Sequence, residues 1–249
     1  MGGFALFNTR LSLVRALARA LAPVVAAAAT ALAAGCGLVD PNITEFDLTL
    51  PSKQFTIDSQ QWNLMNADQL VSQTCTTQPD PCVAAAQQAC EEGTCTAQCD
   101  ATSLTCDLTL FVSLYNMIDL QTEKPELSSI ENQPVLDVTI DSIDFEVSAN
   151  SMNVETPEMV VYAAPATVMS PEARAKIIGT VPPVPAGQTR SLTPIVFDPM
   201  GRENLASFMS DYKTPFNIIV GSELLVEMGD TIPTGATTVR VVVKAHAGL

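Results

Sequence analysis

Apolar residues recur at every second position along most of this chain, which is the period of half-buried β-strands. Residues 104–115 alternate most regularly: Leu104, Cys106, Leu108, Leu110, Val112 and Leu114 share one parity, and Thr105, Asp107, Thr109, Phe111, Ser113 and Tyr115 the other. Residues 44–50 place Phe46, Leu48 and Leu50 opposite Glu45, Asp47 and Thr49, and Phe55 with Ile57 continues into a second short strand after the Pro51-Ser52 turn. Over 135–147 the parity changes. Leu136, Val138 and Ile140 face one way, then Ile143, Phe145 and Val147 fall on the opposite parity. An extra residue near Asp141-Ser142 keeps both sets inward, so a β-bulge is expected there. Further strands are expected at Met159–Ala163, Ser191–Phe197, Phe216–Val220 and Leu224–Met228, and a last one carries Val239, Val241 and Val243 with Arg240 and Lys244 outward.

Helical signals are few. Asp80 followed by Pro81 and an Ala-rich run predicts a helix near 81–91 bearing Cys82 and Cys90, stopped at Gly93. Ser170-Pro171-Glu172 has the same cap-and-proline form and predicts a helix to about Ile178. A third helix is expected near 201–211, with Leu205, Phe208, Met209 and Tyr212 on one stripe. Trp62, Met65 and Leu70 line a helical turn, Trp62 as a packing residue. Val181-Pro-Pro-Val-Pro185 must be extended. Many short strands separated by turn residues indicate a mainly β protein, an antiparallel β-sandwich with a few short helices.

Composition supports a packed core. The chain has 249 residues, 47% of them apolar. Charge is distributed unevenly. Arg10, Arg15 and Arg19 lie in the first 35 residues, which hold no acid; after them nine basic residues stand against 27 acidic ones, a formal net charge of −18. Such a surface repels phosphate backbones, so no nucleic-acid partner is expected.

The N-terminal segment has the order of an export signal: three arginines in 1–19, then a short Ala-rich apolar run over 20–34 interrupted by Pro23 and Thr30, then small residues. The run is too short and too weakly apolar for a permanent membrane helix. It ends in Leu32-Ala33-Ala34-Gly35-Cys36. This stretch resembles the lipobox of bacterial lipoproteins, in which the peptidase cuts before a cysteine that carries lipid on its sulfur and its amine. The resemblance implies a signal peptide over 1–35, Cys36 as the lipid-attachment residue, and membrane anchoring by several acyl chains, since one chain alone binds marginally. It departs from the family at Ala33, where leucine is usual. Ordinary signal-peptidase cleavage after Ala31-Leu32-Ala33 is the competing reading. Gly37 in place of the inner-membrane retention aspartate implies sorting to the outer membrane. Residues 36–43 form a tether of at most about 28 Å to a domain at 44–249.

Seven cysteines are present, and six of them (Cys75, Cys82, Cys90, Cys95, Cys99 and Cys106) fall within 32 residues, in a segment over 72–106 almost without large apolar side chains. Setting Cys36 aside leaves an even set. Three disulfides are the expected use in an exported chain, among 15 connectivities that the sequence does not separate. A zinc site is the alternative. Only Cys95 and Cys99 have the right spacing, with Cys90 and Cys95 at its limit, and no histidine lies nearby. A segment without its own core needs crosslinks, and Cys106 on the inner face of a strand would tie it down. The stapled insertion also offers a rigid binding surface.

Over 135–246 a strand ends at the Asn150–Asn153 turn, a Pro-rich link follows, then Thr214-Pro215-Phe216 and Pro233-Thr234-Gly235 before a Val-rich strand. This order resembles the immunoglobulin-like sandwiches of the late-embryogenesis-abundant type 2 class. The resemblance implies an immunoglobulin-like fold and no particular activity.

Catalytic signatures are missing. The single histidine, His246, sits near the C-terminus, a poor place for a Ser-His-Asp triad. No nucleophile elbow, zincin motif, phosphate loop or dinucleotide fingerprint occurs, and no cofactor is expected. Asp137, Asp141, Asp144 and Glu146 lack the spacing of a calcium loop and are expected on a solvated face. The expectation is a lipid-anchored cell-envelope protein with a non-enzymatic structural or protein-binding role, partnered by other envelope proteins. An envelope hydrolase acting through surface carboxylates is the alternative.

Overall fold

Period-two alternation becomes two antiparallel sheets. The computed structural model describes residues 45–76, 80–91, 93–130 and 136–248. In chain order the elements are β1 (Glu45–Asp47), β2 (Lys53–Asp58), α1 (Ala67–Val71), α2 (Pro81–Ala89), β3 (Cys95–Cys99), β4 (Cys106–Ile118), α3 (Leu120–Glu123), β5 (Asp137–Asn150), β6 (Met159–Pro165), β7 (Lys176–Val181), β8 (Arg190–Pro194), β9 (Val196–Phe197), α4 (Gly201–Ser210), β10 (Phe216–Val226) and β11 (Ala236–Gly248). One sheet runs β1-β11-β5-β8, with β2 also on β11; the other runs β3-β4-β10-β6-β7-β9. Thr44–Leu249 form one compact unit.

The buried faces of both sheets share one core. Phe145, Ile143, Val147, Val239 and Val243 from the first meet Leu108, Leu110, Met159, Val161 and Phe216 from the second. Burial of such side chains contributes roughly 1.5–3 kcal/mol each. The expected bulge is present: Lys244 pairs with Ser142 but Ala245 pairs with Ile140, leaving Asp141 as the extra residue. Val138 and Ile140 on one side of it and Ile143 and Phe145 on the other therefore all point inward. Arg202 of α4 braces the bulge, donating from Nη1 to the carbonyl of Ile140 at 2.6 Å and of Asp141 at 3.0 Å.

Both flanks are tied between the sheets. On one, the Trp62 indole N–H donates to the Phe111 carbonyl at 2.9 Å, and Asn116 Nδ2 donates to the Gln54 carbonyl at 3.0 Å. Lys53 on β2 also pairs with Glu123 on α3 at 2.5 Å. On the other flank the chain changes sheets. β8 pairs with β5, whereas β9 pairs with β7. Between them Ile195 is buried and its amide donates to the Ile143 carbonyl.

Several elements differ from their sequence-based expectation. The segment 170–178 holds one turn, Ala175 N–H to Glu172 carbonyl, and then strand β7. The cap-and-proline signal there is local, whereas Ile178 and Val181 are buried beside β6, and core contact prevails over capping. Phe216–Val226 is one strand, not two, because Gly221 and Ser222 stay paired to Ser113 and Val112. Ser191–Phe197 is not one strand, since Pro194 has no N–H to continue a ladder and the chain crosses there. Leu104 is off the inner face: its φ of 58° belongs to a turn, and it is 46% exposed. Met65 is likewise exposed, while Trp62 and Leu70 are buried. The strand expected at 44–50 keeps its ladder in part without strand geometry: after β1, Leu48 and Leu50 still donate to the Ala245 and Val243 carbonyls.

Candidate functional site

Cys36, the signal segment and the tether lie outside the described residues. The other six cysteines pair among themselves, as Cys75–Cys99, Cys82–Cys106 and Cys90–Cys95. Local sequence sets up these pairings. Asp80 caps α2 by accepting from the Cys82 amide at 2.8 Å, and its second oxygen accepts from the Cys99 amide at 3.1 Å. One carboxylate therefore holds α2 against β3 while Cys82 reaches Cys106 at the head of β4. Both of those cysteines are fully buried. Among the described residues no group of three or more His, Cys, Asp or Glu is arranged to hold a metal ion. A groove of about 630 Å³ lies between α2 and β3, floored in part by Cys90 and Cys95.

Three of the four acidic residues expected on a solvated face of β5 are paired with basic residues of β11. Glu146 meets Arg240 at 2.5 Å, Asp144 meets Lys244 at 3.1 Å and Asp141 meets His246 Nδ1 at 3.0 Å. Asp144 departs furthest from the solvated reading. It is 7% exposed and also accepts from Ser142 Oγ at 2.9 Å. His246 is part of β11, opposite Thr139, rather than in a frayed end. The hydrogen bond to Asp141 holds its imidazole pKa above the ordinary histidine value; slight burial works against this, and the charges of Asp141 and Glu45 add to it.

A second groove, of about 600 Å³, lies on the outer face of the six-stranded sheet. Register builds it. Across β4 and β10, Phe111 stands opposite Glu223, Ser113 opposite Gly221 and Tyr115 opposite Ile219. Across β10 and β6, Gly221 stands opposite Val160 and Ile219 opposite Tyr162. Glu158 immediately precedes β6, and Ser222 Oγ donates to its carbonyl at 2.5 Å. Phe111, its cross-strand partner Glu223, and Glu158 all line the groove. Tyr162 also lines it, and Gly221 lies in the floor beneath Tyr162 and Pro171.

The third wall is the connection from β6 to β7. Its Pro171 lies over Gly221, where an added Cβ would sit 2.5 Å from the proline Cγ. Asn217 fixes this connection, donating from Nδ2 to the carbonyls of Ala166 at 3.1 Å and Val168 at 2.7 Å. Ala164, Val168 and Ile219 form a small apolar cluster beneath it.

The electrostatics of this groove differ from those of the β5–β11 face. Among the described residues no cation pairs with Glu158 or Glu223; the nearby Arg174 is paired with Glu172 at 2.8 Å. Burial, with the Glu223 charge adding to it, raises the Tyr162 phenol pKa above its ordinary value. No signal at residues 158–223 marks this site in the sequence. Glu158 and Glu223 are 65 positions apart, and only the strand register brings them together.

Among the described residues no helix is long and apolar enough to cross a membrane. No family model and no curated protein matches the chain.

Proposed function

We propose that this chain is a lipid-anchored cell-envelope protein, held at the outer membrane through Cys36, with a non-enzymatic structural or protein-binding role. The observation that carries the reading is the pairing of the six remaining cysteines with one another. None of the six is left to pair with a seventh thiol, which fits a Cys36 whose sulfur is taken up by lipid. The lipobox-like stretch before Cys36 and the acidic body after it support the same assignment.

The domain after the tether is an immunoglobulin-like β-sandwich in this reading. Consecutive strands that alternate between two sheets, as β4 to β5, β5 to β6 and β10 to β11 do, support it. Such a sandwich presents its outer faces and loops to other envelope proteins, and protein binding is the role those faces serve.

Metabolic labelling with a palmitate analogue tests the anchor. Label is expected in the wild-type protein and lost in Cys36→Ala; equal label in both sinks the assignment. A pull-down from solubilised envelopes tests the binding role. A reproducible protein partner is expected, and its absence overturns that part.

A further inference from the structure

We propose that the groove walled by Phe111, Tyr162 and Pro171 takes a cationic side chain, lysine or arginine, from a basic segment of a protein partner. This deepens the protein-binding role and rests on it. The ammonium or guanidinium group sits at Glu158 and Glu223, and its alkyl stem lies along Val160 and the aromatic rings.

Three observations carry this. First, Glu158 and Glu223 both line the groove and, among the described residues, neither meets a cation, whereas Glu146, Asp144 and Asp141 on the other sheet each meet a basic residue of β11. A cation arriving there meets two carboxylates that no other basic side chain among the described residues engages. Second, the apolar walls suit the stem of a long basic side chain, and the Phe111 and Tyr162 ring faces attract cations. Third, the groove is built rather than incidental. Asn217 ties down the connection that carries Pro171, and Pro171 packs closely on Gly221, which holds this wall in place.

Other occupants fit less well. An anion meets two carboxylates and an acidic domain. A divalent cation needs six or more oxygens, and two glutamates do not supply a protein cage. A neutral sugar leaves the carboxylate pair unneutralised.

The test uses the full-length protein in non-ionic detergent and three probes: acetyl-Gly-Lys-Gly-amide, acetyl-Gly-Arg-Gly-amide and the neutral acetyl-Gly-Gln-Gly-amide. Binding is followed by the amide NMR shifts of Ser113, Val160 and Gly221. The lysine and arginine peptides are expected to shift these signals and the glutamine peptide to leave them still. The double variant Glu158→Gln/Glu223→Gln is expected to weaken binding roughly tenfold, the scale of two solvent-exposed charge contacts. The control Asp137→Asn/Glu203→Gln removes the same charge elsewhere and is expected to change binding less than about twofold. Equal weakening by both variants shows general attraction to an acidic protein and overturns the proposal. So does the absence of any shift with lysine or arginine, or shifts produced instead by a neutral N-acetylglucosamine oligomer. Capture of an envelope partner that Glu158→Gln/Glu223→Gln leaves unchanged rejects this groove while the protein-binding role stands.

Discussion

The Arg202 guanidinium lies 4.0 Å over the Phe197 ring while its Nη1 donates to the Ile140 carbonyl. This one side chain joins α4, the β9 end of the sheet-to-sheet crossing, and the bulge of β5. Arg202→Ala is expected to lower stability by about 2 kcal/mol, combining a cation–π contact with charge-assisted hydrogen bonds. Arg202→Lys should recover only part of the loss, because an ammonium cannot stack on the ring and reach both carbonyls in one plane. Urea unfolding midpoints of the two variants measure the difference.

The disulfides are expected to differ in weight. Cys75–Cys99 and Cys82–Cys106 each span 24 positions, whereas Cys90–Cys95 spans five. Chain-entropy estimates give about 3.5 kcal/mol for either long loop and about 2 kcal/mol for the short one. Replacing Cys82 and Cys106 together by alanine should therefore cost more than replacing Cys90 and Cys95, the more so because both sulfurs of the first pair are buried. Guanidinium unfolding of the two double variants is the measurement; equal loss in both contradicts the ranking.

Much of this architecture is written in local pattern. The Asp141 bulge follows from a parity change across six residues, and α2 from an Asp-Pro cap. The outward Arg240 and Lys244 follow from simple alternation. What escapes is whatever depends on a distant partner. Ser170-Pro171-Glu172 carries the same cap signal as Asp80-Pro81, yet only Asp80 keeps its helix, because the residues after Pro171 are claimed by β6. Asp144 looks solvated until its opposite strand supplies Lys244. The groove is the least legible feature, since its two acids, Glu158 before β6 and Glu223 on β10, lie far apart in the chain.

Asn217 is buried, and its Oδ1 has no hydrogen-bond partner among the described residues, while both donated bonds hold the β6–β7 connection. Asn217→Ala leaves the Ala166 and Val168 carbonyls without that donor, at an expected cost of about 1–3 kcal/mol. Hydrogen exchange should show faster opening at residues 166–175 than in the wild type, with β4 and β11 protected as before in conditions where the variant is folded.

His246 gives the domain a pH response of defined sign. Its pKa is raised in the folded protein by Asp141. The stabilisation from that pair is fully present below the unfolded value of about 6.5. It is lost as pH rises through the higher folded value. Asp47 and Asp100 act oppositely. Hydrogen bonds from Thr49 and from Ser103 hold their carboxyl pKa values below normal, so their contribution is present above the unfolded carboxylate range and lost as pH falls through the folded values. Urea midpoints taken across neutral pH should decline on the alkaline side in the wild type. His246→Gln should flatten that decline and leave the acid limb unchanged.

The Cys75–Cys99 and Cys82–Cys106 crosslinks interleave along the chain. Of these six cysteines, a polypeptide threading N-terminus first into an oxidising compartment presents Cys75 and Cys82 before the rest, and neither is the other's partner. An oxidant that joins thiols in order of appearance makes the wrong bond at its first step. A chain oxidised in that order reaches the native pairing only by reopening that bond through thiol–disulfide exchange. A host able only to form disulfides would accumulate scrambled chains however stable the finished protein is.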